Sequence, residues 1–124
     1  MTQLPPPEIL ARLAQEQTIW FATVRPDGRP HLAPVWFVWH NSKIYIGTDP
    51  QSVKVRNLRR NPRVALALED GQHPLICEGQ AAPVAPPWPQ DLLDAFFQKY
   101  EWDLTQEEQY HNVWEVTPQK WLHW

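Results

Sequence analysis

The alternation of apolar and polar positions divides the chain into short strands framed by helices. Behind "QLPPP", Ile9, Leu10, Leu13 and Ala14 recur at helical spacing, predicting a short amphipathic helix over 7–16 that acts as a lid. "TIWFATVRPDGRPHLAPVWFVWHNSKIYIGT" then reads as a meander of three strands, with reversals at "RPDGRP" and "HNSK". A second helix follows in "DPQSVKVRNLRRNP", with Asp49 as its N-cap and Pro50 at its first position. It stops near Asn61, because Pro62 disfavours a helical residue before it. "RVALALE" and "PLICEGQAAPVA", joined by the turn "DGQHP", bring the count to five strands in mainly antiparallel order. Past the stiff "PPWPQ", Leu92, Leu93, Phe96 and Phe97 lie on one broad helical face. A sixth strand, Asn112 to Thr117, precedes an aromatic tail over 118–124. The pattern predicts one mainly β domain with flanking helices, its barrel, closed or partly split, spanning 18–117. A parallel sheet would need more crossover helices than the chain supplies.

Composition narrows what such a domain can do. With 124 residues, an elaborate site must borrow a cofactor or a second subunit. A net charge of −3 argues against nucleic acid as a partner. The longest apolar run, Leu32 to Trp39, is too short to span a bilayer, so no membrane association is expected. Cys77, the single cysteine, cannot form an intrachain disulfide and is expected to be a small core residue. With no basic and apolar leader before the first helix, the expected location is the cytoplasm. Eight tryptophans exceed what a small core needs, which predicts a subunit interface.

The sharpest chemical signal is the basic second helix. Helix N-termini expose unpaired amides and the positive end of the dipole, and so stabilise a phosphate. Ser52 stands in the first turn, Lys54 can curl back to the same point, and Thr48 can close the cradle from the preceding strand. Asn57 shares a helical face with Lys54. Arg56, Arg59 and Arg60 lie in the second half, where cations complement the dipole in solvent. Without a glycine-rich turn, triphosphate binding of the Walker type is not supported.

The succession "RPDGRPHLAPVWFVW", "KIYIGT" and "SVKVRNLRRNPRVAL" resembles the pyridoxamine 5'-phosphate oxidase-like flavin-binding split barrels, well over residues 8 to 85 and loosely beyond. It is closest to their short branch, which includes deazaflavin enzymes. The resemblance implies a six-stranded split barrel of the FMN-binding type, forming a homodimer with a flavin in each of two clefts between subunits. It implies that Thr48, Ser52 and Lys54 hold the cofactor phosphate, with Asn57 near it. It also implies that Pro34, Val35 and Trp36 run along the flavin ring. FMN is the cofactor implied first, a deazaflavin the alternative and haem a weaker one, for which His123 is the axial-ligand candidate. Departures accompany the match: Val53 replaces an arginine of the full-length oxidases' Ser-Arg-Lys cluster, and their C-terminal Arg and His motif for the vitamin phosphate is absent. Pyridoxamine phosphate oxidation itself is therefore not expected.

The remaining candidates carry less. The five histidines show no metal-ligand spacing, so no metal is expected. The acidic stretch from Asp91 to Glu108 reads as a solvated face. No serine or cysteine stands in a nucleophile elbow. The expected activity is flavin-dependent oxidation or reduction of an unidentified small molecule, against a non-catalytic carrier or sensor as the alternative. No catalytic residue is assigned; His31 and His73 are the side chains to mutate first.

Overall fold

The computed structural model describes residues 3–124. Strands form wherever one face of the chain is apolar. β1 (Ile19–Val24) buries Ile19, Phe21 and Thr23 and leaves the alternate positions half-buried. β5 (Arg63–Leu68) buries Val64, Leu66 and Leu68, and β6 (Leu75–Val84) buries Leu75, Cys77, Gly79 and Ala81 while exposing Glu78, Gln80 and Ala82. These inward sets meet Ile44 and Ile46 of β4 (Lys43–Thr48) and Trp114 and Val116 of β7 (Asn112–His123) in one core.

Seven strands make one antiparallel sheet in the order β2-β1-β5-β6-β7-β4-β3, with β2 at Pro30–Val35 and β3 at Phe37–His40. The two edges, β2 and β3, are separated in the chain by Trp36 alone. A flat sheet would hold edges six spacings apart at roughly 29 Å. The sheet must therefore curl until the edges nearly meet, although no ladder joins them among the described residues. The result is a split barrel, seven-stranded rather than six-stranded, because the run "HLAPVWFVW" breaks at Trp36 where the chain crosses between edges.

The C-terminal residues correct the sequence reading. Residues 118–124 are not a tail: β7 continues to His123, because the ten residues of β6 need a partner along their whole length, and Cys77 pairs with Trp121. A bulge between Glu78 and Gly79 takes up the offset and admits Pro118, which has no amide to give a regular ladder. Gly79 is required there, since a Cβ would run into the Thr117 carbonyl.

Helix α1 (Pro7–Gln15) ends one residue short of the expected boundary and packs Leu13, Ile9 and Leu10 on the barrel core. Helix α2 (Val53–Arg60) begins later than expected, with Ser52 rather than Asp49 as its N-cap. The Asp49 carboxylate is already used in the preceding turn, where it accepts from the Gln51 amide at 2.8 Å. The helix ends at Asn61 as expected. Helix α3 (Gln90–Tyr100) buries Leu92 and Phe96 against Val38, Tyr45 and Val113. Val38 and Tyr45 alternate with Phe37 and Ile44 of the barrel core, so α3 covers the opposite face of β3 and β4.

Most tryptophan surface goes into the chain's own packing. Trp114 is buried in the core, Trp39 and Trp121 meet edge to face at 5.7 Å, and only Trp36 and Trp124 are exposed. No helix of the described residues is long and apolar enough to cross a membrane.

Candidate functional site

Where the barrel splits, a cavity of about 680 Å³ opens between the end of β2, the start of α2 and the segment after α3. Its walls are aromatic. Trp36 stacks on Tyr100 with ring centroids 4.5 Å apart, and Trp102 stands edge-on to Trp36 at 5.7 Å and to Tyr110 at 6.5 Å. Trp102 can lie so close to β4 because Gly47 has no side chain there. The Glu107 carboxylate accepts from Trp102 Nε1 at 2.9 Å and from the Tyr110 amide at 3.2 Å, fixing two of the rings. The Tyr110 amide and the Trp102 indole hold that carboxylate below its ordinary pKa.

The polar part of the site gathers at the start of α2. Three buried atoms there have no hydrogen-bond partner: Ser52 Oγ, His31 Nδ1 and Arg25 Nε. Buried polar groups are normally paired, so the Ser52 orphan at the helix N-terminus marks a place for an acceptor-rich ligand, with the His31 orphan within reach of the Lys54 charge. Burial lowers the His31 pKa, and the nearby Arg25 and Lys54 charges lower it further. Burial also lowers the Lys54 pKa, against the opposing pull of Asp49. Lys54, which loses solvation without a carboxylate in hydrogen-bonding contact, lacks a paired counter-ion.

The sequence-predicted residues divide into two groups. Pro34, Val35, Trp36 and Lys54 line the same cavity, and Ser52 stands two positions before Lys54 with its hydroxyl unpartnered. Thr48 and Asn57 instead spend their side chains inside the fold. Thr48 is fully buried, and its Oγ1 donates to the Asn112 carbonyl at 3.1 Å, tying β4 to β7. Asn57 Nδ2 donates to Thr23 Oγ1 at 2.9 Å, tying α2 to β1. Asn57 borders a different cleft, of about 390 Å³, edged by Arg25, Arg29, Arg56 and Arg60. His73 pairs with Asp70 in the exposed β5–β6 turn and does not line the cavity. No group of three metal-ligating side chains occurs among the described residues.

Beneath the rings, α3 ends in a clamp. Tyr100 Oη accepts from the Phe37 amide at 2.9 Å and lies 2.8 Å from the Gln17 carbonyl, while burial pushes its pKa up to about 12. Lys99 Nζ donates to the carbonyls of Leu13 at 3.0 Å and Phe37 at 2.9 Å and sits over the Phe37 ring. Burial brings its pKa down to about 8, partly offset by Glu16. The clamp joins α1, β3 and α3, and thereby fixes the ring on which Trp36 stacks.

Sequence reasoning missed Arg25, Tyr100, Trp102 and Tyr110. Arg25 was absorbed into the turn "RPDGRP", although a cation at a strand end beside a basic helix was a usable signal. The aromatic residues of "KYEWDL" carry no such local cue, because only the fold brings them to Trp36.

Comparison with known proteins agrees with this architecture. Residues 5–124 match the family model of pyridoxamine 5'-phosphate oxidase. A conserved hypothetical protein from Mycobacterium tuberculosis is 26% identical, with a TM-score of 0.78 over 98% of this chain and 85% of that one. An F420 reductase is also 26% identical, with a TM-score of 0.75 over 96% of this chain and 98% of its own. The haem storage protein HutZ of Vibrio cholerae, 19% identical with a TM-score of 0.80 over 97% and 95% of the two chains, shares the fold. With the match running from the first helix through the last strand, the chain belongs to the pyridoxamine 5'-phosphate oxidase-like split-barrel family.

Proposed function

We propose that this protein binds FMN in the cavity beside α2 and acts as a flavin-dependent oxidoreductase on a small molecule, as a cytoplasmic homodimer. The observation that carries the reading is the buried, unpartnered Ser52 hydroxyl at the N-terminus of α2, beside Lys54. A phosphate there accepts from Ser52, from the free amides of the first helical turn and from Lys54, with His31 beside them. The ring lies against Pro34, Val35 and Trp36. Trp36 is 48% exposed, and a second copy of the chain covers the part of it that the flavin leaves open. A bound flavin supplies hydride transfer at its N5 position. The chain's part is to hold the phosphate, orient the ring and keep water from one of its faces.

A deazaflavin is the second reading, supported by 26% identity to an F420 reductase over 96% of this chain. It offers the same cradle a ring and a phosphate. For haem the support is weaker, since His123 is exposed at the end of β7 and does not line the cavity.

Titration with FMN, riboflavin and F420, followed by flavin or deazaflavin fluorescence, tests the assignment. FMN is expected to bind more tightly than riboflavin, which lacks the phosphate. Ser52→Ala and Lys54→Ala should each weaken FMN by about tenfold, as for loss of a hydrogen bond to a charged group, and leave riboflavin unchanged. Equal affinities for FMN and riboflavin would remove the phosphate assignment. Reduction of the bound cofactor by a nicotinamide nucleotide, with turnover of an added acceptor, separates the enzyme from a non-catalytic carrier.

A further inference from the structure

Among the residues that border the large cavity, Lys54 is the one cation and Glu101 and Glu107 are the two carboxylates. Neither glutamate forms an ion pair with Lys54 among the described residues. Once a cofactor phosphate neutralises Lys54, the glutamates leave that part of the cavity with two negative charges and no protein cation. The surrounding walls are π faces: Trp102 is nearly perpendicular to Trp36, at 80°, and to Tyr110, at 78°. Aromatic faces set at right angles beside carboxylates attract organic cations through the negative charge of the rings.

Glu101 adds an independent sign. It follows the last residue of α3 with φ 54° and ψ 36°, a left-handed conformation that glycine adopts with less strain. It also places a carboxylate at a helix C-terminus, where the dipole favours a cation. Two local penalties fall on one residue whose side chain makes no hydrogen bond or ion pair among the described residues. Local strain that persists at the wall of a cavity points to use.

We propose that the region walled by Trp36, Trp102 and Tyr110 and flanked by Glu101 and Glu107 binds the substrate, and that the substrate is a small organic cation, a planar ring bearing a quaternary or protonated nitrogen. The assignment rests on reading the Lys54 region as the cofactor phosphate site. Tyr110 supplies the stacking face, Trp102 the back wall and Trp36, held against Tyr100, the side, while Glu101 supplies the charge that separates a cation from its neutral counterpart. Glu107, already bonded to Trp102 and Tyr110, holds the walls in place.

Calorimetric titration of the purified protein with 1-methylnicotinamide and with nicotinamide, each with and without saturating FMN, tests this. The two probes share a ring and differ in one methyl group and one charge. The cation is expected to bind saturably, one per chain and about tenfold more tightly than nicotinamide. Glu101→Gln should remove most of that preference, and Trp36→Leu should weaken both probes. Both positions are exposed, and unchanged thermal midpoints would show that the variants fold. Saturating FMN should raise the cation preference, because its phosphate neutralises Lys54. Equal binding of the two probes, or a preference that survives both Glu101→Gln and Trp36→Leu, would overturn the proposal. Failure of FMN to bind, with the cation preference intact, would instead remove the cofactor reading and leave the aromatic box standing.

Discussion

Gly47 shows how one missing side chain shapes the cavity. A Cβ there would lie 2.6 Å from Trp102 Cη2, 3.2 Å from Cζ3 and 3.3 Å from Leu104 Cδ2. Gly47→Ala is therefore expected to push the indole outward and cost about 1–3 kcal/mol, as overpacking does. It should also break the alignment of Trp102 with Glu107 and weaken binding in the cavity. Tryptophan emission and a urea titration would check both parts, and an unchanged spectrum would mean that the ring adapts without moving. At this scale the sequence was partly legible. Trp36 and Lys54 announced themselves because their signals are local, an apolar strand and a helix start. Thr48 and Asn57 looked equally available, yet their hydroxyl and amide are used by partners 64 and 34 residues away. No spacing rule reports such a contact.

Among the elements, the end of α3 has the widest reach. Lys99 and Tyr100 hold the carbonyl ends of α1 and its following loop, and both sides of the Phe37 peptide unit at the start of β3. Tyr100→Phe keeps the stack on Trp36 but leaves the Phe37 amide without an acceptor at a residue that is fully buried. The expected cost is about 1–3 kcal/mol. Hydrogen exchange should then accelerate at Phe37 ahead of the barrel centre, and uniform acceleration would show that the clamp has no local role. The elements themselves were mostly visible as apolar periodicity. Two features were not: the break at Trp36 and the extension of β7 past Thr117. Both depend on the sheet as a whole, one on the chain crossing between edges and the other on the length of β6. Asp49 misled for a similar reason, since Asp before Pro is a sound cap signal but serves the turn ahead of the helix.

Taken whole, three of the fold's largest shifts, those of Lys99, Cys77 and Tyr100, oppose one another in alkaline solution. Lys99 falls from 10.5 to about 8 in the fold, so between these values the unfolded chain keeps a proton that the folded chain has released. Stability therefore rises with pH across that window. Burial, with a smaller contribution from Glu78, raises Cys77 from 9.0 to about 12, and burial raises Tyr100 from 10.0 to about 12. For both, the folded chain keeps a proton that the unfolded chain loses, and stability falls from the lower value upward. The expected profile rises between pH 8 and 9, levels between about 9 and 10 where Lys99 and Cys77 offset each other, and declines above that. Urea midpoints read from tryptophan emission at constant ionic strength would trace it. Lys99→Met should flatten the rise below pH 9, and Cys77→Ala should extend it toward pH 10. A parent protein with no rise between pH 8 and 9, matching Lys99→Met, would mean that the Lys99 ammonium is as well hydrated in the fold as outside it. The clamp at the end of α3 would then contribute its hydrogen bonds without the desolvation penalty, and α1 would be held more firmly below pH 8 than the buried geometry implies.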